Sequence, residues 1–485
     1  MVVLAALINF GTAAGAASPL DKINHVIVIY QENWSFDGLY GNFPGANGLA
    51  NASATVPQVD KTGKPYAILP QPIDTTQKPP AADPRFPANL PVQPYDVAKY
   101  VAPDQKTGDL VHRYYQQQYQ IDGGKMDKFV AWSDAAGLAM SHYDATNMPE
   151  GKLAQQYTMA DNFFHGAFGG SFLNHMWLIC ACTPTWPHAP ASKVAQLDAN
   201  GIMVKDGQVT PDGYAINTSF TVNQPHPATI TDTAQLVPNQ TLPTIGDRLS
   251  AKQLSWAWYS GGWNDAMAGH PDPLFQFHHQ PFAFFANYAD GMPTKAAHLK
   301  DEKDFLSSLT SNALPAVSFI KPLGEDNEHP GYSTLVRGQQ HVADLVNAVQ
   351  KSSYWQDSAI IITYDEHGGR WDHVAPPVVD KWGPGERVPA IIISPFAKKG
   401  FVDHTQYDTT SILKFIEDRW QLQPLGTRDA AANSLVNAFD FAGGQSGNLP
   451  ATGSDGLDTP LIVFSVALVL LLAGLALRRR QSSML

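Results

Sequence analysis

Apolar residues gather in four short runs, 25–30 (HVIVIY), 316–320 (AVSFI), 359–364 (AIIITY) and 388–394 (VPAIIIS), each rich in β-branched side chains. Unbroken apolar runs of this length predict strands buried on both faces, as in a parallel sheet covered by helices. Two segments carry apolar residues at helical spacing, 341–350 and 409–420, the second with Thr409 or Thr410 available as N-cap. Residues 50–108, rich in Pro and Ala, and 203–245, polar and rich in Thr, show little periodicity and predict long surface excursions. The expected fold class is therefore α/β, with a central, mostly parallel sheet, helices on both faces and long loop excursions.

The ends follow a different pattern. Residues 1–17 (MVVLAALINFGTAAGAA) are apolar and close on small residues, with Ala14 and Ala16 placed for signal-peptidase cleavage, although no Lys or Arg precedes Lys22. Residues 461–477 carry no charge and are followed by Arg478, Arg479 and Arg480. At ~1.5 Å per residue this is close to the short limit for crossing a ~30 Å hydrocarbon layer, and the arginines would remain cytoplasmic. Upstream stands Leu449-Pro450-Ala451-Thr452-Gly453, after a Gly/Ser-rich linker. Pentapeptide, spacer, apolar span and arginines, in that order, resemble a sortase cell-wall sorting signal; the alternative is a plain membrane anchor. The expected plan is a signal peptide at 1–17, a catalytic body at 18–440, a linker with the LPxTG-like motif at 441–460, a transmembrane helix at 461–477 and a basic cytoplasmic tail at 478–485. Such a chain is exported and held at the cell surface by the membrane or the wall, with a sortase as a further partner.

Composition narrows the body's role. With 44% hydrophobic residues in 485, the chain can bury a sizeable core. Its 32 Lys and Arg against 44 Asp and Glu leave a net charge of −12, so nucleic acid is not an expected partner. Cys180 and Cys182 are too few for a disulfide framework or a four-ligand zinc site and read as buried thiols in WLICAC, so packing alone is expected to hold the fold.

The chemistry-bearing residues follow the strands. The run at 25–30 leads into Gln31-Glu32-Asn33, and 359–364 leads into Asp365-Glu366-His367-Gly368-Gly369. Carboxyl ends of strands line the crevice of an open α/β sheet, so Glu32, Asn33, Asp365 and Glu366 are expected on one rim. Three carboxylates and an amide oxygen suit one hard or borderline divalent cation, whose identity the residues leave open. A Gly169-Gly170-Ser171 turn presents a hydroxyl as candidate nucleophile. Asp372 and His373 are expected to brace the Asp365–Glu366 loop; His341 and His404 read as ordinary surface or core histidines.

Together HVIVIYQENWSFDGLYG and TYDEHGGRWDHVAPP resemble the bacterial phosphoesterase family that holds acid phosphatases and non-haemolytic type phospholipases C, on an alkaline-phosphatase-like core. The resemblance covers roughly 24–425. It implies that Glu32, Asn33, Asp365 and Glu366 bind the metal and that Ser171 accepts the phosphoryl group. It further implies that His112, Asn174, His278, His279 and His329 contact phosphate or handle protons. Trp34, Gly170-Ser171 and His175 stand where the phospholipases commonly carry arginine, proline-threonine and arginine, which brings the chain closer to the acid phosphatases. The leading expectation is a phosphomonoesterase acting on a phosphate ester; the alternatives are a phospholipase C-type phosphodiesterase and a non-catalytic surface adhesin.

Overall fold

His25–Gln31 (β1) is buried from Val26 onward, so its alternate side chains must be covered on two sides. In the computed structural model, which describes residues 18–52 and 57–442, β1 lies inside an eight-stranded sheet. The other strands are Thr158–Ala160 (β2), Trp256–Ser260 (β3), Leu299–Asp301 (β4), Val317–Lys321 (β5), Ser358–Tyr364 (β6), Ala390–Ile393 (β7) and Phe401–Asp403 (β8), in the order β4-β3-β5-β1-β6-β7-β2-β8. All pairings are parallel except those of β7, which runs against both β6 and β2. The isoleucines of β1, β6 and β7 are wholly buried, each worth roughly 1.5–3 kcal/mol of transfer free energy.

Two helix groups cover the sheet. Helix Ser171–Cys180 packs on Thr409–Trp420, and Pro149–Gln156 packs on Leu335–Lys351. They sit on opposite faces, because Tyr30 reaches the Asn174 carbonyl at 3.3 Å whereas its neighbour Gln31 reaches Glu328, which shares Tyr364 with Glu150.

Several expectations need correction. The run at 388–394 forms strand only over Ala390–Ile393, since Pro389 cannot donate to a ladder. Helix Thr409–Trp420 is capped by Asp408, which accepts from the Thr410 amide at 2.7 Å, and not by either threonine. Cys180 and Cys182 form a disulfide and are not free thiols, so packing does not act alone. The excursions also send anchors inward: Leu69, Val97, Val101, Val209, Ile216 and Val237 are buried. The expected signal peptide, LPxTG-like motif, transmembrane helix and basic tail lie outside the described residues. Among the described residues no helix is long and apolar enough to cross a membrane.

Candidate active site

Because Gln31 pairs in register with Tyr364, the segments leaving β1 and β6 run side by side. Asn33 turns in the left-handed region (φ 67°), and its backbone N–H donates to Asp365 Oδ1 at 3.3 Å. The Glu366 amide donates to the same oxygen at 2.8 Å, and the Gly368 amide donates to Glu366 Oε2 at 2.7 Å. Gly368 has φ 62°, and a Cβ there would lie 2.1 Å from the Asn33 carbonyl oxygen.

These bonds leave one buried oxygen on each residue, Asn33 Oδ1, Asp365 Oδ2 and Glu366 Oε1, with no hydrogen-bond partner among the described residues. Burial and the nearby Glu32 push the Asp365 carboxyl up to about 7. Glu366 is raised well above the usual carboxylate range by burial and by Asp365, against the opposing pull of His112. Buried oxygens of this kind fit a hard divalent cation.

Glu32 has further company, in which sequence reasoning missed Lys321. Its Oε1 lies 2.7 Å from Lys321 Nζ and 2.6 Å from His279 Nε2, and its Oε2 lies 3.7 Å from His329 Nε2. Burial alone would push Glu32 up; His279 and Lys321 hold it well below the usual range. Burial pushes His279 itself down to about 4, against the opposing pull of Glu32. No motif flags a lone lysine at a strand end; its register beside β1 is the signal that could have found it.

Ser171 is the first residue of its helix, 5% exposed and beside Asp365, whose carboxyl it helps to lower. Gly169 (φ 96°) and Gly170 let the turn pass close by: a Cβ on either would meet the Tyr114 amide at 2.8 Å or the His112 carbonyl at 2.7 Å. Ser171, Glu32, His112, His278, His279 and His329 line one cleft of about 130 Å³. A wider vestibule of about 670 Å³ shares Asp109, His112, Thr218 and Tyr332 with it and adds Thr75, Thr76, Lys78 and Arg113. His112 donates from Nδ1 to the Leu110 carbonyl, which turns its Nε2 toward Asn33 Nδ2 at 3.3 Å and Glu366 Oε1 at 3.9 Å.

Asn174 stands behind this surface. Its amide accepts from the Ala167 N–H at 2.9 Å and donates to the carbonyls of Ala167, Gly169 and Gly170, so it braces the turn leading to Ser171 from within. Gln117, also unforeseen, accepts from the Gly169 amide and donates to His165 and Glu386. Asp372 and His373 join Asp37 and Arg387: Arg387 Nε donates to Asp372 Oδ1 at 2.9 Å, and His373 Nδ1 lies 2.6 Å from Asp37 Oδ2. This network ties the segment after β1 to the segment after β6. His341 pairs with Glu302, and the exposed His404 with Asp161.

Residues 23–423 match the Phosphoesterase family, and the chain belongs to that family. It is 24% identical over 476 residues to the non-hemolytic phospholipase C of Pseudomonas aeruginosa, covering 87% of this chain and 58% of that protein, less than two thirds of its length. It is 23% identical over 472 residues to phospholipase C B of Mycobacterium tuberculosis, covering 87% and 78%. Among solved structures, a protein in the alkaline phosphatase superfamily from Vibrio parahaemolyticus aligns over 69% of this chain and 74% of its own at 10% identity, with a TM-score of 0.33.

Proposed function

We propose that this protein is a metal-dependent phosphomonoesterase that works through a phosphoserine at Ser171. One observation carries the preference for small monoesters: the cleft in front of Ser171 is narrow and walled by histidines, Glu32, Gln276 and Thr218. The vestibule beyond it joins Thr, Lys, Asp and Arg side chains to apolar surface from Leu110, Val111, Leu274 and Tyr332. An acylglycerol leaving group would need a larger apolar wall. The names of the relatives favour a second reading, a phospholipase C-type phosphodiesterase using the same residues.

The chemistry starts at Ser171. Its hydroxyl attacks phosphorus as the bond to the leaving alkoxide breaks, and water later hydrolyses the phosphoserine. The first backbone N–H groups of the helix beginning at Ser171 would meet the phosphoryl oxygens, as helix N-termini meet anions. A divalent cation held by Glu32, Asn33, Asp365 and Glu366 would supply Lewis-acid stabilisation of the charge that gathers on nucleophile and phosphate. His329 donates from Nδ1 to the Pro330 carbonyl at 2.6 Å, which leaves Nε2 on the cleft side; as the doubly protonated imidazolium it would pass the Nε2 proton to the leaving oxygen. His112 and His278 line the phosphate's other walls.

Ser171→Ala tests the covalent step. It is expected to cut monoester hydrolysis by ~10⁴-fold or more with Tm unchanged, because it removes one hydroxyl and no core volume. A variant retaining most of the wild-type rate would show that water is the direct nucleophile. Assays on an aryl phosphate and on phosphatidylcholine separate the two substrate readings: efficient cleavage of the lipid with monoesters untouched would establish the diesterase.

We also propose that the enzyme is exported and held at the cell surface. The Cys180–Cys182 disulfide supports this, since such bonds persist in oxidising compartments, as do the apolar segment at 1–17 and the LPxTG-like tail.

A further inference from the structure

Lys321 is the last residue of β5, and its side chain is wholly buried. Its Nζ lies 2.7 Å from Glu32 Oε1 and 3.5 Å from the Gln31 carbonyl oxygen; among the described residues no other carboxylate lies within ion-pair distance of it. Glu32 also belongs to a compact donor set, because Glu32, His175 and His279 each bring one ligand atom within 4.8 Å of the others. The two imidazoles stack face to face, with centroids 4.8 Å apart and planes 1° from parallel. His175 Nδ1 lies 2.7 Å from the Ser171 carbonyl, which fixes the proton there. Its Nε2 is left as a buried lone pair with no hydrogen-bond partner among the described residues. Two imidazoles and a carboxylate are the ligand types of a three-residue zinc site, yet here the carboxylate is already neutralised by an ammonium group.

We propose that Lys321 is a resident cation of the active site, standing where a second metal ion would otherwise bind and leaving Glu32, His175 and His279 able to take up such an ion once the lysine is removed. This rests on the reading that Asn33, Asp365 and Glu366, with the other oxygen of Glu32, hold a divalent ion of their own. A covalently fixed charge serves the second position differently from a metal. It cannot be lost to chelators, and it puts a fixed positive charge beside Glu32 without offering an open coordination position.

The test is the zinc content of wild type, Lys321→Arg and Lys321→Met, equilibrated with Zn²⁺, freed of unbound metal and measured by elemental analysis. Lys321→Met is expected to hold one zinc per chain more than wild type, and Lys321→Arg no more than wild type. The extra zinc should vanish in Lys321→Met combined with His175→Phe. Zn²⁺ should also raise the Tm of Lys321→Met more than that of wild type, because the metal relieves a buried carboxylate left without its partner. A folded Lys321→Met with no added zinc overturns the proposal. So does a Lys321→Met that fails to fold and is not rescued when refolded with Zn²⁺. Wild type without metal beside Lys321→Met with one ion would overturn the reading of the oxygen site and leave the role of Lys321 standing.

Discussion

At Gly368 two demands meet in one residue. Its φ of 62° suits glycine, and the Asn33 carbonyl occupies the space a Cβ would need. Gly368→Ala therefore has to move the segment carrying Glu366 or the one carrying Asn33. The strained backbone alone costs about 1–3 kcal/mol, and we expect a lower Tm together with reduced metal content. Wild-type metal content in this variant would show that the two segments can separate without harming the oxygens between them. Asp365→Asn addresses those oxygens directly. It keeps the shape but removes charge, so elemental analysis should find less bound metal and assays less activity, whereas full occupancy would remove Asp365 from the ligand set. The candidate ligands were legible because they follow apolar runs and sit in two distinctive motifs. Lys321, Gln117 and Arg387 were not, since each owes its role to a partner far away in the chain and carries no local pattern of its own.

Helix Thr409–Trp420 buries Glu417 against Thr427–Ala431, where burial and Asp429 push its carboxyl up from 4.5 to about 8. The folded protein thus keeps a proton that the unfolded chain gives up. Its stabilising effect is complete below about pH 4.5 and is lost as pH rises through about 8. Glu417→Gln imitates the protonated form, so the Tm difference between variant and wild type should grow in the variant's favour from pH 5 to pH 8. A constant difference over that range would mean that Glu417 ionises freely in the fold. At this scale the apolar runs revealed β1, β5 and β6 within a residue or so. Thr158–Ala160, Leu299–Asp301 and Phe401–Asp403 are hidden because three residues make no period, whereas the Trp and Tyr side chains of Trp256–Ser260 suit a strand and were a usable signal. Helix Leu335–Lys351 was recognised by its apolar face but begins at the Thr334 cap, several residues before that face becomes regular.

For the whole molecule, the sheet and every proposed site residue lie within residues 18–442. Deleting 449–485 is therefore expected to leave catalysis intact while releasing the enzyme into the medium, as measured by activity in cell fractions. An intact C-terminus in the host membrane would exclude processing at Thr452 and leave a plain anchor; activity confined to the cytoplasm would exclude both. The architecture also sets a timetable. Asn33 and Asp365 are 332 positions apart in the chain, and β1 acquires its neighbours β5 and β6 from segments that begin only at Val317 and Ser358. At about 5–20 residues per second of synthesis, on the order of half a minute separates the first ligand segment from the second. Through that interval the β1 strand waits with both edges unpaired, and Glu32 and Asn33 have no partners with which to enclose an ion. An ion held by these residues would therefore be chosen where folding finishes, by the supply of metal in that compartment, and not where translation begins.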